Sequence, residues 1–203
     1  DLALLSSGAE LIPTLTSNTK GLQNLNLASR LRIHLFGVDF SIAHIPSSRV
    51  VFQEDPRIIG KCWTFEGSRG HIAVALAERV TLSSMVIYRP PHHVLPPGAL
   101  MTTARKFVLW GLVDGERFFD EFDEVKPASH FHQSLRPLPD HILGGYFARI
   151  LEYEYQLMQA KYIQVAYAGR DLSKYSFQTL VIEVADNWGA NETCIYRIGI
   201  HGN

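Results

Sequence analysis

The chain has 203 residues, 46% hydrophobic and 19% charged, which is enough for one sizeable core and ordinary for a globular domain. Its formal net charge of −1 supplies no long-range field toward nucleic acid or an anionic membrane surface, so no nucleic-acid partner is expected through this domain. No apolar run approaches the ~20 residues that span a bilayer, Asp1–Leu5 lacks the basic start and cleavage site of a signal peptide, and there is no internal repeat.

Between Leu22 and Ile45, Leu31, Ile33 and Leu35 alternate with Arg32 and His34, and Gly37-Val38-Asp39 then turns the chain before Phe40. This predicts a projecting hairpin with an unpaired edge. Short β-branched or aromatic runs follow between Gly, Pro and Ser: Val50–Phe52, His71–Leu76, Val80–Leu82, Met85–Tyr88, Phe107–Trp110, Tyr162–Tyr167, Leu180–Val184 and Tyr196–Ile200. Many short strands with such punctuation predict an all-β, antiparallel sandwich rather than βαβ units. In the last run Tyr196, Ile198 and Ile200 share one face, and Arg197, Gly199 and His201 share the other. Residues from about 114 to 141 read as a long surface insertion.

Signals for catalysis are weak, and no enzyme activity is expected. His130, His132 and His141 cluster with Asp140, and His-x-His spacing can ligate zinc on a strand, which keeps a metal-dependent hydrolase as an alternative. No Cys accompanies them, however, and Pro137 and Pro139 interrupt the segment. His92-His93, between Pro90, Pro91 and Pro96, reads as an exposed turn. Gly67-Ser68-Arg69-Gly70 lacks the lysine and helix start of a phosphate loop, and no nucleophile-elbow motif marks a serine triad. The two cysteines, Cys62 in GKCWTFEG and Cys194 in NWGANETCIYRIGIHG, are either one disulfide or two buried thiols, and spacing alone leaves both open.

The run Asn187-Trp188-Gly189, then Thr193–Arg197, then His201-Gly202 resembles the C-terminal signature of SUN domains (Sad1/UNC-84 homology), the lumenal modules of inner-nuclear-membrane proteins. GKCWTFEGSRG is similar to that family's Gly-x-Cys-Trp stretch. Asp1–Leu4 followed by Ser7–Ala9 is similar to its lead-in, where a trimeric coiled coil runs into the β-fold. The resemblance spans essentially the whole chain and is poor between about Asp114 and His141. It implies a single SUN domain over 1–203: lead-in 1–17, a lid hairpin at about 18–48, and a jelly-roll-like sandwich 49–203 carrying the insertion. A trimerising helical stalk and a membrane anchor are then expected upstream, with a Cys62–Cys194 disulfide in the domain.

The function so implied is binding of the C-terminal tail of a KASH-type outer-nuclear-membrane protein in the perinuclear space. The homotrimer would form a LINC-complex bridge from the nucleus to the cytoskeleton or spindle pole body, or tether telomeres. A carbohydrate- or peptide-binding sandwich module is the alternative. The tail would add as a strand along the lid against Leu31, Ile33 and Leu35, with its terminal carboxylate near Thr103 and Tyr196. Two positions depart from the family: Arg89 stands where histidine is common and Glu192 where tyrosine is common, so either Arg89 or another base offsets Glu192 or the ligand terminus is held differently here. Thr16 stands where several relatives carry a cysteine that bonds the partner, which implies noncovalent binding here. The resemblance also implies a potassium ion held by the backbone carbonyls of Val50, Gln53, Asp55, Lys61 and Tyr196, in a loop one residue longer than in relatives. Asn191-Glu192-Thr193 is a formal glycosylation sequon, but it adjoins Cys194 and the expected pocket, where a glycan would obstruct binding.

Overall fold

Strand alternation makes the middle of the chain a sheet that is buried on both faces. In the computed structural model, which describes residues 1–21, 47–54, 61–113, 120–158, 162–169 and 171–203, regular structure consists of β-strands and short 3-10 turns. The described strands are β1 (Glu10–Leu11), β2 (Trp63–Glu66), β3 (Gly70–Val80), β4 (Leu82–Tyr88), β5 (Ala104–Val113), β6 (Val125–Pro127), β7 (Tyr146–Glu154), β8 (Ile163–Tyr167), β9 (Phe177–Asn187), β10 (Glu192–Ile195) and β11 (Arg197–Gly202). A six-stranded sheet runs β1-β3-β9-β5-β7-β6, and a three-stranded sheet β11-β4-β8 and a β10-β2 pair oppose it. Every one of these pairings is antiparallel, so the all-β sandwich expected from the sequence is the fold.

One expected strand is something else. Val50–Phe52 belongs to a 3-10 turn, Ser48–Phe52, closed by the Gln53 N–H donating to the Val50 carbonyl at 3.3 Å. Val51 and Phe52 are both fully buried, and a one-sided strand cannot bury consecutive residues whereas a tight helical turn can. The hairpin expected around Leu31, Ile33 and Leu35 lies outside the described residues.

Between the sheets, Ile72, Val74 and Leu76 of β3, Phe107 and Leu109 of β5, and Leu180, Ile182 and Val184 of β9 meet Met85, Ile87, Ile198 and Ile200 of the opposing sheet. Gly111 of β5 makes this fit possible, since a Cβ there would lie 2.3 Å from the Phe177 ring and 2.7 Å from Ile150.

The other face of the six-stranded sheet carries Ala73, Val108, Trp110, Phe147 and Val181, and it too is covered. Its cover is Ala128, Phe131, Leu138 and Ile142, all buried, from the segment expected to be a surface insertion. That expectation is corrected: β6 extends the six-stranded sheet, and the chain from Ala128 to Ile142 lays a third layer over it. Spaced apolar residues among prolines hid this role, because no periodicity survives in irregular backbone. Phe131 packs edge-on against Phe147 with ring centroids 5.4 Å apart, and its carbonyl meets the Nε2 of buried His71 at 2.7 Å.

Burial pushes the His71 pKa below its ordinary 6.5, partly opposed by the bond to Phe131. A neutral His71 therefore donates Nε2–H to that carbonyl near neutral pH. The unfolded chain protonates this imidazole before the folded one does, so stability is full above the unfolded value of 6.5 and is lost as pH falls below it. Denaturation followed from about pH 7.5 to about pH 5 should show this loss, with a shallower pH slope in His71→Gln. Equal slopes in both proteins would show that His71 is not its source.

Candidate binding site beside the disulfide

The C-terminal motif builds a loop before it builds a pocket. The Asn187 amide donates to the carbonyls of Ala190 and Glu192 at 3.0 Å each, and its oxygen accepts the Gly189 N–H at 2.8 Å. Gly189 has φ of 103°, a conformation that L side chains rarely adopt. Thr193, fully buried, donates its hydroxyl to the Gly67 carbonyl at 2.7 Å, tying this loop to the turn after β2. These motif residues thus act through loop geometry, a role that a side-chain pattern does not reveal.

The loop delivers β10 against β2, with Cys194 opposite Thr64. Cys62 and Cys194 are joined, their Cα atoms 5.5 Å apart, within the span a disulfide bridges. On its other side Cys194 forms a parallel bridge with Thr103, its N–H donating to the Thr102 carbonyl at 2.8 Å. The disulfide therefore sits beside a small cavity lined by Arg89, Thr103, Phe107, Tyr155, Ile195 and Tyr196. Sequence reasoning placed Arg89, Thr103 and Tyr196 together, and the structure brings them together here. It missed Tyr155, which comes from the chain just after β7.

Arg89 is only 7% exposed, and its Nη2 has no hydrogen-bond partner among the described residues. Burial pushes the Tyr155 phenol above its ordinary pKa, with the Arg89 charge drawing it part of the way back, so Tyr155 is a neutral donor at physiological pH. The Thr103 hydroxyl already donates to the Ala99 carbonyl at 3.3 Å and must turn to meet a ligand. A buried permanent cation with an unused N–H, next to a phenol, has the chemistry to accept a carboxylate.

Glu192 does not share this cavity. It forms an ion pair with Lys20, so the base that offsets it is Lys20 and not Arg89. Thr16 is buried at the edge of β3, donating to the Ile12 carbonyl at 2.8 Å and accepting the Ala73 N–H at 3.1 Å. Arg197 leaves the outer face of β11 for a buried pair with Asp1 at 2.6 Å and also donates to the Glu54 carbonyl at 3.1 Å. Of the expected carbonyl set for potassium, Val50, Gln53, Lys61 and Tyr196 are described and Asp55 is not. The turn carrying Val50 packs against β2 and β11, so these segments converge, with the Arg197 guanidinium on the neighbouring Glu54 carbonyl. Among the described residues no group of three or more His, Cys, Asp or Glu is placed to hold a metal ion, and His132 Nε2 is engaged by the Arg136 carbonyl at 2.8 Å.

The sandwich is of a widespread kind. The family 32 carbohydrate-binding module of Streptococcus pneumoniae EndoD superposes with a TM-score of 0.56 at 10% identity, covering 97% of each chain. Allantoicase of Saccharomyces cerevisiae gives 0.53 at 9% identity, covering all of this chain and 43% of that one. Binding modules and enzymes thus share this architecture, and the likeness concerns fold alone.

Sequence comparison is more specific. The family model "Sad1 / UNC-like C-terminal" matches residues 41–123. The chain is 27% identical over 203 residues to SUN domain-containing protein 2 of Mus musculus and 26% identical over 205 residues to the nuclear migration and anchoring protein unc-84 of Caenorhabditis elegans. These alignments cover all of this chain but 23% and 15% of those proteins, so the chain spans a minor part of the relatives' length. The chain is therefore similar over its whole length to proteins of the Sad1/UNC-like, or SUN-domain, family.

Proposed function

We propose that the domain binds the C-terminal tail of a KASH-type protein of the outer nuclear membrane, acting in the perinuclear space as part of an inner-nuclear-membrane protein. In this role it bridges the nuclear envelope and couples the nucleus to the cytoskeleton or spindle pole body. The supporting observation is the buried Arg89 guanidinium with an unused Nη2 beside Thr103, Tyr155 and Tyr196. Such a group is costly to bury without a partner, and a terminal carboxylate is the partner that fits it. Similarity to SUN-domain proteins suggests the class of partner.

The tail adds as a strand along the lid, with Leu31, Ile33 and Leu35 as its contact face. A homotrimer, held by a helical stalk upstream, is the assembled form. The carbonyls of Val50, Gln53, Asp55, Lys61 and Tyr196 hold a potassium ion in the loop beside the disulfide; carbonyl dipoles suit a weakly hydrated monovalent ion. Calorimetry on the domain fused to a trimeric coiled coil tests the binding, using a tail with a free C-terminus and the same tail amidated. The free tail should bind and the amidated one should be weakened at least about tenfold, the cost of losing a charge-assisted bond. Equal affinities would remove the carboxylate from the recognition.

A further inference from the structure

A buried amide on β8 holds the chain that leaves β7. Gln164 is 3% exposed, and its side chain reaches a residue eight positions earlier in the sequence. Its Oε1 accepts the Gln156 N–H at 2.8 Å and the Tyr153 hydroxyl at 3.0 Å, and its Nε2 donates to the Gln156 carbonyl at 2.8 Å. The two bonds to Gln156 fix which end of the amide is the oxygen. Strand pairing of β7 ends at Glu154, so the polar backbone groups of Gln156 need partners from elsewhere. The Gln164 amide supplies both, as a neighbouring strand would inside a sheet.

Tyr155 stands between these bonds and the Arg89 cavity. Its N–H donates to the Arg105 carbonyl at 2.7 Å, and Gln164 fixes the residue on its other side. Its side chain, 2% exposed, lines the cavity with Arg89. Arg89 hangs from the same stretch of chain: its N–H donates to the Tyr162 carbonyl at 2.9 Å, two residues before Gln164. Gln164 itself is not among the lining residues, and its oxygen already accepts two bonds, so it has no direct contact to offer a ligand. What it can do is set the backbone that carries the phenol, and a polar site is only as selective as the groups that hold its donors in place. Resting on the carboxylate reading of that cavity, we infer that Gln164 is a positioning residue: its amide locks the turn after β7 so that the Tyr155 phenol and the Arg89 guanidinium meet one carboxylate together.

The test reads the ratio of two affinities, a KASH-type tail with a free C-terminus over the same tail amidated, by calorimetry on the domain fused to a trimeric coiled coil. The unaltered domain should give a ratio of at least about ten. Gln164→Met keeps the length of the side chain and removes its amide, and the ratio should fall to about three or less, the effect of one hydrogen bond. Tyr155→Phe should give a similar ratio, and the double variant no further drop, because Gln164 acts through Tyr155. A role in folding alone would weaken both tails alike and leave the ratio unchanged. Gln164→Glu, measured at pH 8, is the second variant should Gln164→Met fail to fold: it keeps the acceptor, gives up the donor, and should also lower the ratio. An undiminished ratio in Tyr155→Phe or in a folded Gln164 variant, or a further drop in the double variant, would overturn the assignment and leave the carboxylate reading standing. A ratio near one in the unaltered domain would remove the carboxylate reading, and this assignment with it.

Discussion

Arg89→Ala should weaken binding of a free C-terminal tail by roughly 2 to 5 kcal/mol, the range seen when one partner of a buried hydrogen-bonded charge pair is removed. The size follows from burial: at 7% exposure the guanidinium is little screened, and its unused Nη2 is a donor already stripped of water. Arg89→Lys should recover part of the loss, since an ammonium restores charge without the bidentate fork. Thr103→Val should cost less, because the Thr103 hydroxyl already serves the Ala99 carbonyl. Glu192→Gln is the control. Its carboxylate is paired with Lys20 on an accessible surface, so affinity should change by no more than about 1 kcal/mol. Calorimetry on the four variants, using one tail, orders these effects. A loss in Glu192→Gln equal to that in Arg89→Ala would mean that the carboxylate is read elsewhere.

Much of this cavity was legible in the sequence, and the reasons are specific. Arg89, Thr103 and Tyr196 lie near strand ends, where motif spacing translates directly into position. Tyr155 was not legible, because it follows β7, whose sequence Tyr146–Glu154 mixes helix formers with aromatics and becomes a strand only between β5 and β6. The strands around Trp63 and Glu192 were missed for a similar reason: each has four residues and is held by pairing rather than by intrinsic preference. Which base faces Glu192 was left open between Arg89 and another, because Lys20 is 172 residues away and only the fold joins them. The third layer built on Phe131 was hidden because irregular segments bury side chains without a period. Fold class was therefore readable from strand punctuation, while ion pairs between distant loops were not.

Reduction of the Cys62–Cys194 disulfide should destabilise the domain by about 4 to 5 kcal/mol on the chain-entropy account, because the bridge closes a loop of 132 residues. Its local effect should be larger than that figure suggests. Among the described residues β10 pairs with β2 and meets Thr103, just before β5, through one bridge, so the disulfide is the covalent tie of a short strand. Ile195 and Tyr196, which follow Cys194 directly, line the Arg89 cavity and move with it. Chemical denaturation of the oxidised protein and of the double variant Cys62→Ala, Cys194→Ala should show the drop in midpoint at unchanged native spectrum. Tail binding, measured below the denaturation range, should fall further than the folded fraction does. If the variant binds the free tail as tightly as the oxidised domain, β10 is positioned by Asn187 and Thr193 alone, and the disulfide serves stability without shaping the site.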